Sequence, residues 1–229
     1  MHLPTVFDDI RQFGSYIFLA IAALWPIVDP LGGAPIYLSM TSTLTPKQRT
    51  EMARVVAIYS SLLLLASALV GAYVLDFFGV SIPCVQVAGG IVVCGIAWSL
   101  LNAPNASPAM AGKSSEVLER DVLRERAFYP MTMPLTVGPG SISVAITLGA
   151  NPPQGLRSLF VTALAHSIGI LIVGVTVYIC YAYADRILKA LGPIGTSVVL
   201  RLTAFILLCI GVQITWNGLQ KLLKGILVA

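Results

Sequence analysis

Charge is what this chain has least of. Asp, Glu, Lys and Arg make up 10% of its 229 residues, while hydrophobic residues make up 57%. Soluble globular chains carry about 25% charged residues, and a water-facing surface cannot be assembled from less than half that share. The same figures exclude intrinsic disorder, which requires low hydrophobicity and high net charge. Cysteine is scarce as well. Cys84, Cys94, Cys180 and Cys209 fall in or beside apolar stretches without a paired spacing, so they read as small buried hydrophobes rather than a disulfide framework or a metal site. The formal net charge is only +4, and the basic residues sit between apolar stretches, which leaves no surface for nucleic acid. No cofactor, metal or enzymatic activity is expected.

What remains is a polytopic membrane protein. A spanning helix needs roughly 20 apolar residues, and six windows meet that requirement: 14–41, 53–75, 84–102, 127–148, 157–182 and 200–220. The chain start lacks the basic region and small-residue cleavage site of a signal peptide, so it reads as a retained first span. One long polar connection, 103–126, separates a first three-helix unit (1–102) from a second (127–229). The loops after spans one, three and five hold Lys47, Arg49, Arg54, Lys113, Arg120, Arg124, Arg126, Arg186 and Lys189. The opposite side holds Arg11, Arg157, Lys221 and Lys224. Basic loops stay in the cytoplasm, so both termini are expected outside.

The two units repeat one another. Trp25–Pro35 lies over Tyr129–Pro139 at a constant offset of 104 residues, pairing Pro26 with Pro130, Pro30 with Pro134 and Pro35 with Pro139. The third span of each unit aligns more weakly, Ile91 with Ile206 and Cys94 with Cys209. Three spans per unit force the second copy to enter the membrane from the opposite side. The expected fold is therefore all-α, with two inverted-topology three-helix repeats of the kind that recurs in secondary transporters.

The repeated segments are rich in helix breakers. Proline inside a helix removes a hydrogen bond and clashes with the preceding turn, costing about 3 kcal/mol or more. Pro30, Gly32, Gly33 and Pro35 predict a break in the first span; Pro134, Gly138, Pro139 and Gly140 predict one in the fourth. Pro35 and Pro139 suit the first position of the following half-helix. Unwound backbone at membrane depth must face protein or a wet cavity. Freed N–H groups suit a carboxylate and freed carbonyls suit an ammonium, so a small zwitterion matches both. The candidate binding residues are Asp29, Pro30, Leu31, Gly32, Gly33, Thr132, Thr136, Val137, Gly138, Pro139, Gly140 and Ser141. Glycines here leave a cavity with little room for a substrate side chain. Asp29, the one acidic residue deep in a span, is a functional candidate by default. Its alternative role is to cap nearby backbone, just as the hydroxyls can bond their own helices. Gly89 and Gly90 read as packing residues, with a site lining as the alternative.

Several elements resemble the MarC family of six-span inner-membrane proteins. They are Asp29-Pro30-Leu31-Gly32, Phe78-Gly79-Val80-Ser81-Ile82-Pro83, Ala88-Gly89-Gly90, Pro134-Leu135-Thr136-Val137-Gly138-Pro139-Gly140, Arg201-Leu202, Gly211-Val212-Gln213 and Asn217-Gly218. The resemblance spans essentially the whole chain. It implies a bacterial or archaeal inner-membrane location and transport of small neutral amino acids such as glycine and alanine, coupled to a proton or sodium gradient. Two positions depart from the family pattern: Asp29 stands where Asn is common, and Gln86 where Arg usually precedes the third-span Gly-Gly. Asp29, Gln86 and Arg201 are the coupling or gating candidates, with snorkelling toward the interface as the other role for Arg201. The alternatives are a drug or small-metabolite exporter, a passive channel and, remotely, an intramembrane protease using His166 with Ser141.

Overall fold

The computed structural model describes residues 6–102, 125–150 and 156–227, and every element among them is helical. The chain runs α1 (Val6–Val28), α2 (Pro30–Met40), α3 (Pro46–Phe77), α4 (Ile82–Asn102), a π-helical α5 (Ala127–Thr136), α6 (Pro139–Ala150), α7 (Leu156–Ala182) and α8 (Ala184–Leu227). Most of the connection 103–126 lies outside the described residues; Glu125 and Arg126 lead helically into α5.

Five stretches are long and apolar enough to cross a membrane: Arg11–Leu38, Pro46–Phe77, Ile82–Asn102, Ser158–Ala182 and Ile194–Lys224. They coincide with five of the six expected windows. The remaining window, 127–148, is no continuous span. Its apolar helix, Pro139–Ala150, has 12 residues and reaches about 18 Å, short of the roughly 30 Å hydrocarbon layer. Only together with α5 does it have the length of a crossing.

Polarity is distributed inside out. Phe18, Tyr73, Phe77, Phe160 and Ile194 are among the most exposed large side chains, while Thr41, Gln86, Thr132, Thr136, Ser141, Ser143 and His166 are buried. Water would oppose that arrangement and hydrocarbon favours it. Because lipid offers no hydrophobic drive between helices, close approach of small residues must supply the cohesion. Gly90 of α4 illustrates it. A Cβ there would lie 2.7 Å from the Gly211 carbonyl oxygen of α8 and would also strike the Thr215 hydroxyl, so only glycine lets the two helices approach this closely.

The principal neighbours are α4 with α8, α1 and α2 with α7, α3 with α5 and α6, α3 with α7, α4 with α6, and α1 and α2 with α8. Helix starts follow local chemistry. Thr45 caps α3 through a reciprocal box: Thr45 N–H donates to Gln48 Oε1 (3.0 Å), the Gln48 N–H returns to Thr45 Oγ1 (3.4 Å), and Pro46 stands first in the helix. Arg186 and Lys189, expected in a loop, instead lie on the first two turns of α8, where Lys189 Nζ meets Asp185 Oδ2 at 2.7 Å. Gly192 then turns the chain at φ 65°. That left-handed conformation favours glycine and sets those polar turns apart from the long apolar part of α8.

Candidate functional site

The break between α1 and α2 is a single residue, Asp29, at φ 44°. Among residues with a side chain, Asp and Asn enter this region most readily. The backbone ladder survives on both sides: Asp29 N–H donates to the Trp25 carbonyl (3.0 Å), and Gly33 N–H donates to the Asp29 carbonyl (2.9 Å). The Asp29 carboxylate accepts from Gly32 N–H at 3.0 Å, three residues on, which is the geometry of a helix N-cap. Thr203 of α8 lies beside the same carboxyl, its own hydroxyl donating to the Val199 carbonyl at 2.9 Å. Gly32 is required by this arrangement, since a Cβ there would collide with the Asp29 carboxyl group.

This differs from the expected unwound stretch. Gly32, Gly33 and Pro35 all lie inside α2, and α2 begins at Pro30 rather than Pro35. Pro30 stands first in its helix, where a missing N–H is no loss, and the cap from Asp29 supports the turn that follows. The two glycines serve close approach rather than unwinding.

The second break is spread over ten residues. Tyr129 and Met133 are extended (φ −123°, ψ 125° and φ −119°, ψ 121°), as is Val137. Tyr129 and Met133 each precede a proline, whose ring disfavours the α conformation of the residue before it. The turns between are wide: Val137 N–H reaches the Thr132 carbonyl (2.8 Å), and the Thr132 and Thr136 hydroxyls donate five residues back, to Ala127 O (2.7 Å) and Met131 O (2.8 Å). Pro139 opens α6 as expected. Ser141 Oγ donates to Gly138 O at 2.9 Å.

Both breaks open onto one cavity of about 300 Å³, at the small end of the range for ligand pockets. Asp29, Gly32 and Gly33 line it from the first break, and Thr136, Gly138, Gly140 and Ser141 from the second. The N-terminal ends of α2 and α6 therefore meet there, each carrying the positive end of a helix dipole. The rest of the wall is apolar and includes Ile36, Val93, Ile96 and Leu207. Those side chains make the cavity greasier, and less bounded by backbone, than the glycines alone suggested.

Pro30, Leu31, Thr132, Val137 and Pro139 are not on this wall. Leu31 is exposed on the outer face, and Thr132 and Val137 are fully buried. Gln86 lies off the wall too. Its Nε2 donates to Thr147 Oγ1 (3.1 Å) and its Oε1 is buried without a partner. Arg201 is exposed on α8. Ser141 and His166 line different cavities, and His166 Nε2 has no hydrogen-bond partner, so the serine–histidine arrangement of a protease is not formed.

Three residues at the site gave no sequence signal. Thr203 is one. The others are Tyr37 and Tyr181, whose rings stack at 4.5 Å with 13° between planes. Tyr37 Oη donates to the Arg49 carbonyl at 2.6 Å, and Tyr181 Oη shares a 2.9 Å hydrogen bond with Thr136 Oγ1. A Cβ on Gly33 would sit 2.5 Å from Tyr181 Oη. The buried Tyr181 hydroxyl thus stands between the two breaks, against Gly33 of one and Thr136 of the other. Only that glycine, which leaves room for a neighbour, hinted at it.

Comparison with known proteins agrees with this architecture. Residues 14–223 match the family described as MarC family integral membrane protein. A UPF0056 membrane protein of Methanocaldococcus jannaschii is 30% identical, covering 90% of this chain and 97% of its own length. A UPF0056 membrane protein of Archaeoglobus fulgidus is 28% identical over 93% and 96%, and the UPF0056 inner membrane protein MarC of Salmonella paratyphi A is 28% identical over 91% and 96%. No solved structure matches the chain. The inside-out helical bundle and the match along nearly its whole length identify the chain as a multi-pass member of the MarC family of integral membrane proteins.

Proposed function

We propose that this protein is a secondary active transporter of small neutral amino acids of the glycine and alanine class, and not an enzyme. The observation that carries the reading is the cavity shared by the two breaks. It joins one carboxyl group to two helix N-termini. Asp29 offers a partner for an ammonium or a carrier for a proton, and the N-terminal turn of α6 offers N–H groups to a carboxylate. A small zwitterion engages both ends. Proton or sodium coupling goes with this reading, Asp29 being the residue of choice for it.

The helix pairings support an inverted repeat. Taking α1/α2 and α5/α6 as one broken span each gives six spans. Exchanging the first three with the last three turns the pairing of α1 and α2 with α7 into that of α5 and α6 with α3. It turns α4 with α6 into α8 with α1 and α2, and returns α4–α8 and α3–α7 to themselves. Sequence units 1–102 and 127–229 then behave as halves related by a pseudo-twofold axis. Alternating access follows from rocking one set of helices against the other. The basic residues put the 103–126 connection in the cytoplasm and both termini outside; cysteine labelling of the termini and the connection checks that orientation.

Purified protein in liposomes is the test. Labelled glycine or alanine should accumulate uphill under an imposed proton or sodium gradient. Downhill flux alone would make it a channel. The apolar wall favours one second reading, a small-drug or metabolite exporter, since side chains such as Ile96 and Leu207 suit a greasier solute. Equal competition by leucine or a bulky drug would put that reading first.

A further inference from the structure

The charges of α3 stop abruptly. Lys47, Arg49, Glu51 and Arg54 fall within its first three turns, and residues 55–75 carry no charged side chain. That uncharged length is about 31 Å, which matches the roughly 30 Å hydrocarbon layer. Arg54 therefore stands at the boundary of the hydrocarbon, at the depth of lipid phosphates. An open groove of about 410 Å³ begins there, between α3 and α7. The two helices run antiparallel, because the later part of α3 shares its cavity with the earlier part of α7. Arg54 and Tyr178 thus form one end of the groove, and Leu62 with Val175, then Leu65 with Leu171, line it going deeper. From Arg54 to Leu65 is about 16 Å, the depth of one leaflet.

The deeper part of the groove makes no polar demand. The Ser61 hydroxyl on its floor is already committed, donating to the Ala57 carbonyl at 2.8 Å. A Cβ on Gly174 would strike that hydroxyl, so only glycine lets α7 come this close to α3. Arg54 is exposed, and among the described residues it forms no ion pair, Glu51 of the preceding turn included. We propose that this groove binds one anionic phospholipid, with the phosphate on Arg54 and an acyl chain along the apolar walls. The guanidinium fork matches phosphate oxygens, and basic pockets between spans take anionic head groups. Tyr178 beside it is of the type that sits at the head-group level. A zwitterionic head would leave its ammonium without a carboxylate on the described wall. A free phosphate would leave the apolar walls uncovered.

Native mass spectrometry of the full chain in detergent, titrated with phosphatidylglycerol, tests this. The expected result is one lipid bound saturably, and more tightly than phosphatidylethanolamine with the same chains. Arg54→Gln should weaken phosphatidylglycerol binding about tenfold and remove that preference. Val175→Trp, at an exposed place on the wall, fills the groove and should weaken both lipids. Lys189→Gln removes a basic residue outside the groove and should leave binding unchanged. Glycerol phosphate, a head without chains, should not displace the lipid. An affinity untouched by Arg54→Gln and Val175→Trp overturns the proposal, that being the pattern of lipid surrounding the bundle at large. So does equal weakening by Lys189→Gln, the pattern of diffuse attraction to a basic surface, and so does displacement by glycerol phosphate, which needs no groove. The readout is lipid binding, so it stands apart from the transport reading.

Discussion

The two breaks occupy matching places in the chain and are built by opposite means. The first is one residue wide and held by a side chain. Asp29 takes the left-handed conformation and caps the next helix with its carboxylate. The second is ten residues wide and held mainly by backbone conformation, with extended residues before prolines, a wide backbone bond from Val137 N–H to the Thr132 carbonyl, and two threonine hydroxyls sharing the rest between them. A break that relies on one side chain concentrates its chemistry there. A break distributed over a wide helix leaves little to any single side chain. Sensitivity to substitution should therefore be steep at the first break and shallow at the second.

Asp29 should give the largest effect. Asp29→Ala removes the cap, and loss of an N-cap costs about 0.5–2 kcal/mol. It also removes the acidic group on the cavity wall. Uptake should be abolished, and thermal unfolding should move down. Asp29→Asn is the sharper variant. Asn tolerates the same backbone conformation and its side-chain oxygen still accepts from Gly32, so stability should stay within about 0.5 kcal/mol. Uptake by this variant should lose its dependence on the pH gradient while downhill exchange survives. An Asn variant with wild-type affinity and pH profile would take the carboxylate out of the mechanism, leaving it a cap.

The contact between the breaks comes next. Gly33→Ala places a methyl 2.5 Å from Tyr181 Oη and 3.3 Å from two ring carbons. Overpacking of this kind costs about 1–3 kcal/mol, here charged to whichever state holds Tyr181 against Gly33. Tyr181→Phe removes the bond to Thr136 while Thr136 keeps its bond to Met131 O, a loss of about 0.5–1.5 kcal/mol. Uptake should fall about tenfold in the first variant and a few-fold in the second. In the double variant the losses should be smaller than additive, because the removed hydroxyl is the atom the methyl strikes. Full additivity in a liposome assay would disconnect the two breaks.

How far the sequence revealed this site depends on what each residue answers to. Spans answer to average apolarity, so the windows at 53–75 and 84–102 fall within α3 and α4. The places where the chain departs from helix answer to local sterics. Asp29, Tyr129, Met133 and Gly138 all precede a proline, and each interrupts or borders a helix. The same rule over-reads elsewhere: Trp25 and Ala34 also precede prolines, yet α1 and α2 continue through Pro26 and Pro35. A buried helix can absorb a lost bond when neighbouring packing holds it, and nothing local in the sequence records that packing. Tyr37, Tyr181 and Thr203 were hidden for the same reason. An aromatic or a threonine within a span is ordinary until the fold brings a glycine or a carboxyl group opposite it.

The smallest effect should come from Ser141. Its position on the cavity wall makes it look like a substrate ligand, but its hydroxyl proton is spent on the Gly138 carbonyl, three residues back. Ser141→Ala leaves that carbonyl its other bond, from the Ile142 N–H at 3.1 Å, so the loss is that of one local bond and not of a stranded polar group. Alanine also favours the helix slightly more than serine, which offsets part of the cost. Stability should change by less than about 1 kcal/mol and the KM for glycine by less than about threefold. The measurement is saturation uptake at fixed gradient, with Asp29→Ala as the contrast. If Ser141→Ala instead raises KM more than about tenfold while unfolding stays at the wild-type temperature, the hydroxyl holds substrate. The second break would then depend on a side chain as the first does, and the division of labour between a side-chain break and a backbone break would be wrong.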